Sequence, residues 1–456
     1  MDIIIPDTSL LEKYNREVPR YTSYPCVPYW YDLESHHQYF EKFVSSFEEN
    51  NRMAGLSLYI HLPFCEKLCT YCGCNKIITN NHVVEEEYWQ AVINEWYHYR
   101  ELMVESPVIR EMHLGGGTPT FFSPENLRRL LNCIFDIADI HPQREFSIEG
   151  HPNNTTLMHL KMLHQFGFRR ISFGVQDHDP EVQRMINRIQ PYENVKRVTE
   201  QARETGFTSV NYDLIYGLPG QSEKSIERTI DDTILLRPDR IAFYSYAHIP
   251  WKAKGQRLYD ENDLPSPAEK LKFYLTGRQM LLEAGYFDIG MDHFALPHDK
   301  LYQAFIEGKL HRNFMGYTAT QTNCLIGLGA SAISDTGIAY AQNSKELFNY
   351  YKKLNAGEFP VKRGYILDET DKDMRCYILE IACKGKTDFG EKHKAIFDKY
   401  ILGELKKLCE DGLIELDHKG LQVTEAGRIF LRNICHVFDL KRMMSKDDGI
   451  RYSKSV

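Results

Sequence analysis

The chain reads as an α/β protein built on a parallel sheet. Short β-branched and aromatic runs alternate with segments of helical period from about residue 55 to about residue 340, and the polar residues of chemical interest close those runs rather than open them. Such repetition implies right-handed crossovers, in either an open doubly wound sheet or a full or partial barrel. In both forms functional groups gather at the carboxyl ends of the strands.

The elements follow in order. Leu56 to Leu62 is a first strand, and a cysteine loop leaves its carboxyl end. Val83 to Arg100 has the period of a helix, and Met112-His113-Leu114 leads into Gly115-Gly116-Gly117-Thr118-Pro119-Thr120, with a helix starting near Pro124. Phe146 to Glu149 is a third strand, Arg170 to Gln176 a fourth, Ser209 to Tyr216 a fifth and Arg240 to Tyr246 a sixth, with Asn194 to Thr205 among the intervening helices. The strand ends offer the cysteine loop, the glycine run, Glu149, Gln176, Asp213 and Ala247-His248.

The loop after the first strand carries Cys65, Cys69, Cys72 and Cys74. The first three form CxxxCxxC, a spacing that presents three thiolates to one cubane and leaves one iron open. An open iron can chelate a small molecule, the arrangement used by enzymes that reductively cleave S-adenosylmethionine (SAM), and an aromatic such as Tyr71 before the third cysteine is usual among them. Two alternatives stand beside this reading. Cys74 could close a four-cysteine electron-transfer cluster, or the thiols could hold zinc, although zinc sites favour two separated ligand pairs and no second pair recurs.

Composition narrows the setting. With 456 residues the chain can bury a large core and divides into a main domain with appendages. The start, Met1-Asp2-Ile3-Ile4-Ile5-Pro6-Asp7, has no basic leader, and no apolar run reaches membrane-spanning length, so a cytoplasmic protein away from membranes is expected. The other seven of eleven cysteines are scattered singly, which fits a reducing compartment. A net charge of -8 argues against nucleic acid as partner.

The glycine run is no phosphate loop: it lacks the terminal GK[ST] of a Walker motif and the GxGxxG of a dinucleotide fingerprint. Bare backbone brought close to a ligand is one reading, and a tight turn is the other. Glu149 and Asp213 are either solvated carboxylates or partners for a cationic sulfonium and its ribose hydroxyls. Arg188 by itself is a plain helix-surface arginine.

Taken together, the cysteine loop with its Cys-Gly-Cys-Asn ending, Pro19 to Pro25, Gly115 to Thr120, Gly174 to Asp177, Asp213 to Pro219, Tyr246-Ala247-His248, Gly290 to Phe294, Gly329 to Ser334 and Arg432 to Cys435 closely resemble the oxygen-independent coproporphyrinogen III oxidases (dehydrogenases) of bacterial haem synthesis. The resemblance implies a radical-SAM partial (β/α)6 barrel over residues 51–360, an N-terminal arm and helical extension over 1–50, and a mostly helical C-terminal domain over 361–456. It implies one 4Fe-4S cluster on Cys65, Cys69 and Cys72 and two SAM molecules. Tyr59, Gly116, Glu149 and Ile333 would surround the SAM on the cluster, and Tyr71, Gly117, Thr118, Gln176, Arg188, Asp213 and Ala247 the second SAM or the boundary between the two. The activity implied is oxidative decarboxylation of two propionates of coproporphyrinogen III to vinyl groups by a 5′-deoxyadenosyl radical, giving protoporphyrinogen IX.

The same resemblance implies a monomer reduced by a partner such as flavodoxin or ferredoxin. A substrate with four propionates makes Arg20 and Arg312 candidate contacts, against the alternative of surface arginines paired with acids. Departures from the family's pattern fall at Cys26, Gly150-His151, His178 and Met374 to Cys383, all outside the cluster and SAM set. The alternatives to the dehydrogenase are a sister family of haem-binding chaperones, which usually lacks the fourth cysteine and the arm, and radical-SAM enzymes that methylate or open tetrapyrroles. Asp411 to Ile414 and Leu421 to Arg428 resemble a winged-helix turn, here read as part of a lid over the substrate rather than a DNA reader.

Overall fold

In a computed structural model, described over residues 8–33, 36–390, 392–445 and 450–454, six strands take their sequence order across one sheet. They are β1 (Leu56–Leu62), β2 (Val108–Gly116), β3 (Asp139–Gly150), β4 (Phe168–Gln176), β5 (Ser209–Tyr216) and β6 (Arg240–Ser245). Each pairs in parallel with the next. A doubly wound sheet reverses its order at a switch point. Here there is no reversal, so right-handed crossovers keep the helices on one face and the sheet curls into part of a barrel.

Residue alternation explains which face is which. In β5 the residues Val210, Tyr212 and Leu214 are fully buried against the helices, while Asn211 and Asp213 turn to the other face. The intervening helices include α1 (Val84–Glu101), α2 (Pro124–Phe135), α3 (Tyr192–Thr205) and α4 (Glu223–Leu236). Trp96, Tyr88 and Tyr99 of α1 are wholly buried. Ser123 caps α2 with Pro124 at its first position, and α3 ends on Gly206 in the left-handed region (φ +106°).

The barrel stays open. Its last strand, β6, pairs antiparallel with His293–Ala295 rather than with β1. On the far side β1 takes a parallel partner, Leu325–Leu328, beyond which Ile333–Asp335, Ala339–Asn343 and Val361–Ile366 continue the thirteen-stranded sheet. The expected third strand, Phe146 to Glu149, ends one residue later, at Gly150, and begins earlier, at Asp139, through a polar stretch without alternation. Past residue 366 the chain forms a helical region, Glu369–Lys384, Leu402–Glu410 and Leu431–His436, carrying a three-stranded sheet whose hairpin is Ile414–Leu416 with Gly420–Val423.

The arm is packed rather than loose. Val18, Tyr21 and Tyr24 are buried, Tyr21 Oη contacts His436 Nδ1 (2.8 Å) and donates to Asp439 (3.0 Å), and Arg432 donates to the carbonyls of Val18 and Pro19. Arg20 Nη2 also donates to the Ser245 carbonyl at the end of β6 (2.7 Å), so the arm stitches barrel to C-terminal region. No described helix is long and apolar enough to cross a membrane.

Candidate active site

At the carboxyl ends of the parallel strands lies a cavity of about 710 Å³. Cys65, Cys69, Cys72 and Cys74 form part of its wall. Several hydrogen bonds clamp their loop. Asn187 Nδ2 donates to the Leu68 carbonyl (2.7 Å), Thr70 N to the Ile186 carbonyl (3.0 Å), and Gln256 Nε2 to the carbonyls of Tyr71 (2.7 Å) and Ala247 (3.1 Å). His61 bonds Tyr59 Oη through Nδ1 (3.0 Å) and the Asn75 carbonyl through Nε2 (2.9 Å), tying β1 to the loop's exit.

The glycine run serves this clamp. Gly117 N donates to Leu62 O (2.9 Å) and Thr118 N to Phe64 O (3.0 Å), so the end of β2 lies flat against the start of the cysteine loop. A Cβ on Gly117 would stand 2.5 Å from Pro63 O, and Gly116, at φ +121°, has the His61 ring 2.8 Å from where a Cβ would be. Of the two readings of these glycines, close packing of chain on chain is therefore present. Gly116 and Gly117 also line the cavity, so they leave bare backbone there as well.

The thiols suit a metal cluster. Thr118 Oγ1 donates to Cys65 Sγ (3.2 Å) and Arg188 Nη1 to Cys69 Sγ (3.4 Å), the kind of donation that metal-bound sulfur accepts. Burial pushes Cys65 up to about 11, whereas hydrogen bonding from Cys74, helped by nearby Lys76, lowers Cys72 to about 6. Among the described residues no three His, Cys, Asp or Glu side chains converge as a single-ion site requires. A cubane does not require that, because its corners are held separately.

A polar ladder crosses the barrel interior toward these thiols. His113 Nδ1 meets Ser147 Oγ (2.7 Å) and its Nε2 meets Glu149 Oε1 (3.3 Å), while Glu149 Oε2 accepts from Gly116 N (3.2 Å). Ser172 Oγ donates to Asp213 Oδ2 (2.8 Å), and Asn211 Nδ2 to Asp213 Oδ1 (2.9 Å) and Ser172 Oγ (2.7 Å). Burial raises Asp213 to about 6. Gln176 ends β4 with φ +67°, a conformation costly for a side-chain-bearing residue and frequent at functional sites. Arg188 is no surface arginine: Nη2 donates to Gly174 O (2.6 Å), and its buried Nε has no partner among the described residues, leaving a donor for a bound group.

The cavity thus gathers the three expected cluster cysteines with Tyr71, Gly116, Gly117, Thr118, Glu149, Gln176, Arg188 and Asp213. Three expected residues are not in its wall. Tyr59 lies behind it, stacked on His113 (6.0 Å between centroids) and edge-on to Phe314 (4.9 Å). Ile333 is half-buried against the cluster of Trp30, Tyr340 and Leu367, and Ala247 is the backbone anchor of Gln256. Sequence reading did not single out Lys76, Asn187 or Tyr244, which also line the cavity. Lys76 and Asn187 lie in loops and Tyr244 within β6, so only the folded arrangement of these segments brings them to one wall.

Comparison with known proteins agrees with this geometry. Residues 59–233 match the Radical SAM superfamily. An oxygen-independent coproporphyrinogen III oxidase of Escherichia coli is 41% identical across 95% of both chains, and one of Pseudomonas aeruginosa 38% identical across 96% of both. The solved coproporphyrinogen III oxidase of Escherichia coli, described as a radical SAM enzyme, superposes with a TM-score of 0.89 at 38% identity, over 96% of this chain and all of that one. With thiols, strand-end carboxylates and glycine run all held in one cavity of that fold, the chain belongs to the oxygen-independent coproporphyrinogen III oxidase family of radical SAM enzymes.

Proposed function

We propose that this chain oxidatively decarboxylates two propionates of coproporphyrinogen III to vinyl groups without oxygen, giving protoporphyrinogen IX. The observation that carries the reading is the joining of CxxxCxxC to the polar ends of six parallel strands in one cavity. When bound, a 4Fe-4S cluster and SAM supply one-electron cleavage of the sulfonium and the hydrogen-abstracting radical that follows from it. Cys65, Cys69 and Cys72 hold the cluster. Thr118 and Arg188 donate hydrogen bonds to the Cys65 and Cys69 sulfurs and orient them.

Glu149, oriented by His113 and by Gly116 N, offers a carboxylate to a cationic ligand, and Asp213, fixed by Ser172 and Asn211, offers a second. Two carboxylate stations in one cavity support two SAM molecules. Tyr71, Gly117, Thr118, Gln176 and Arg188 surround the second, with Ala247 behind them holding Gln256, and Tyr59 and Ile333 back the first. The barrel wall shields the reacting groups from water. We place the enzyme in the cytoplasm as a monomer, with flavodoxin or ferredoxin as its electron source.

The test is anaerobic turnover. Reduced, reconstituted protein given SAM, coproporphyrinogen III and an electron acceptor is expected to form 5′-deoxyadenosine and a product lighter by two carbon dioxides and four hydrogens. SAM cleavage with no mass change in the porphyrinogen would sink the decarboxylation while sparing the radical reading.

A further inference from the structure

Arg312 was expected to be either a propionate contact or a surface arginine paired with an acid, and the second option fails. The residue is 5% exposed, and its Nε and Nη1 are buried without a partner among the described residues. It sits on the hairpin His311–Asn313 with Gly316–Thr318, directly across from Tyr317, with its guanidinium 4.6 Å from that ring's centroid. An unpaired buried guanidinium is unfavourable, and its planar fork of donors matches a carboxylate in two-point geometry.

The surroundings do not supply that carboxylate. Asp292, which acts on Tyr317 from nearby, faces Arg20 at 3.8 Å, and Asp335 holds Arg375 at 2.6 Å. His293 lies against Tyr317, 5.2 Å between centroids, and its buried Nδ1 is also without a partner. Burial, then Arg312, Arg240 and Arg20, hold His293 neutral, near 3. Arg20 and Arg240 have their own carboxylates in Asp292 and Asp299, so among the described residues it is Arg312 and His293 that stand together without an anion.

The place is next to the active site. His293 touches Tyr244 (5.8 Å between centroids, edge-on), and Tyr244 lines the large cavity. On its other side Arg312 borders a small cleft that Tyr21 to Tyr24 of the arm also line. Resting on the tetrapyrrole reading above, we propose that Arg312, with His293 beside it, binds a carboxylate of the substrate, anchoring one propionate away from the cysteines while the arm covers it.

Binding tests it. Coproporphyrin III, the stable oxidised ring with its four propionates, and its tetramethyl ester are titrated anaerobically into reconstituted wild type, Arg312→Gln and Arg312→Lys, with cluster absorbance and melting temperature recorded for each. Wild type is expected to prefer the free acid, and Arg312→Gln to weaken it by at least about 10-fold while leaving the ester unchanged. Arg312→Lys, which keeps the charge but not the planar fork, should fall between them. Wild-type binding of both probes with Arg312→Gln unaffected overturns the subsite and leaves the tetrapyrrole reading standing, and so does an equal loss of acid and ester together with a fall in melting temperature. Should Arg312→Gln not fold, an Arg312→Lys affinity equal to wild type overturns it. A wild type that binds neither probe overturns both readings.

Discussion

Individual thiols in the cysteine loop have unequal surroundings, and an open cluster and a closed one make different demands on them. Cys65 is buried and receives a hydrogen bond from Thr118, Cys69 receives one from Arg188, and Cys72 is shifted toward thiolate by Cys74 and Lys76. Cys74 acts only on Cys72 in this set, and its own thiol is pushed well up by that same hydrogen bond. Cys65→Ala, Cys69→Ala and Cys72→Ala should each abolish the cluster's visible absorbance after anaerobic reconstitution, and Cys74→Ala should retain it. Equal loss in Cys74→Ala and Cys72→Ala would replace the open iron with a four-cysteine cluster.

Elements, more than residues, decide how well the site could be read before the fold was known. Strands β1 and β5 were legible to the residue because β-branched and aromatic runs bounded by turn residues are a local signal. The C-terminal sheet was not. Its strands, Lys386–Asp388, Ile414–Leu416 and Gly420–Val423, are three or four residues long and too short for alternation to show. The open partial barrel itself was implied by family resemblance, since residue pattern left doubly wound and barrel forms open until the strand order was known. Arg312 illustrates the limit within the site: burial and missing partners come from tertiary packing, so sequence could only pose the alternatives. The arm shows the same limit. Tyr21 reads as one aromatic in a short motif, yet its hydroxyl contacts both His436 and Asp439 of the C-terminal region. Tyr21→Phe removes both contacts, and is expected to cost about 1 kcal/mol in urea unfolding with cluster absorbance preserved. A stability equal to wild type would show that the stitch is redundant.

Across the whole molecule, buried titratable groups of opposite sense set how stability follows pH. Burial depresses His178, His311 and His436 to about 4, and burial with neighbouring cations depresses His293 to about 3. Such groups bind a proton more readily when unfolded, so their contribution is complete above the ordinary histidine value and is lost as pH falls below it. Burial raises Glu95 to about 7 and Asp177 and Asp213 to about 6. These bind a proton more readily when folded, so stability declines as pH rises from the ordinary carboxylate range toward those values. The two sets oppose one another between about pH 4.5 and 6.5, which flattens the dependence of the intact protein and hides each member. Removing one exposes it. His178 has both ring nitrogens buried without partners among the described residues, packs on Tyr192 (5.5 Å between centroids) and is not part of the cavity wall. His178→Phe keeps the ring and removes both the orphaned nitrogens and the proton. It should stabilise the fold at pH 8, and its advantage over wild type should grow by about 1.4 kcal/mol at pH 5.5, the cost that protonation of the unfolded imidazole imposes on the wild type over that interval. Urea unfolding at the two pH values measures both quantities, and an advantage that does not change with pH would mean that His178 keeps its ordinary affinity for a proton in the folded chain.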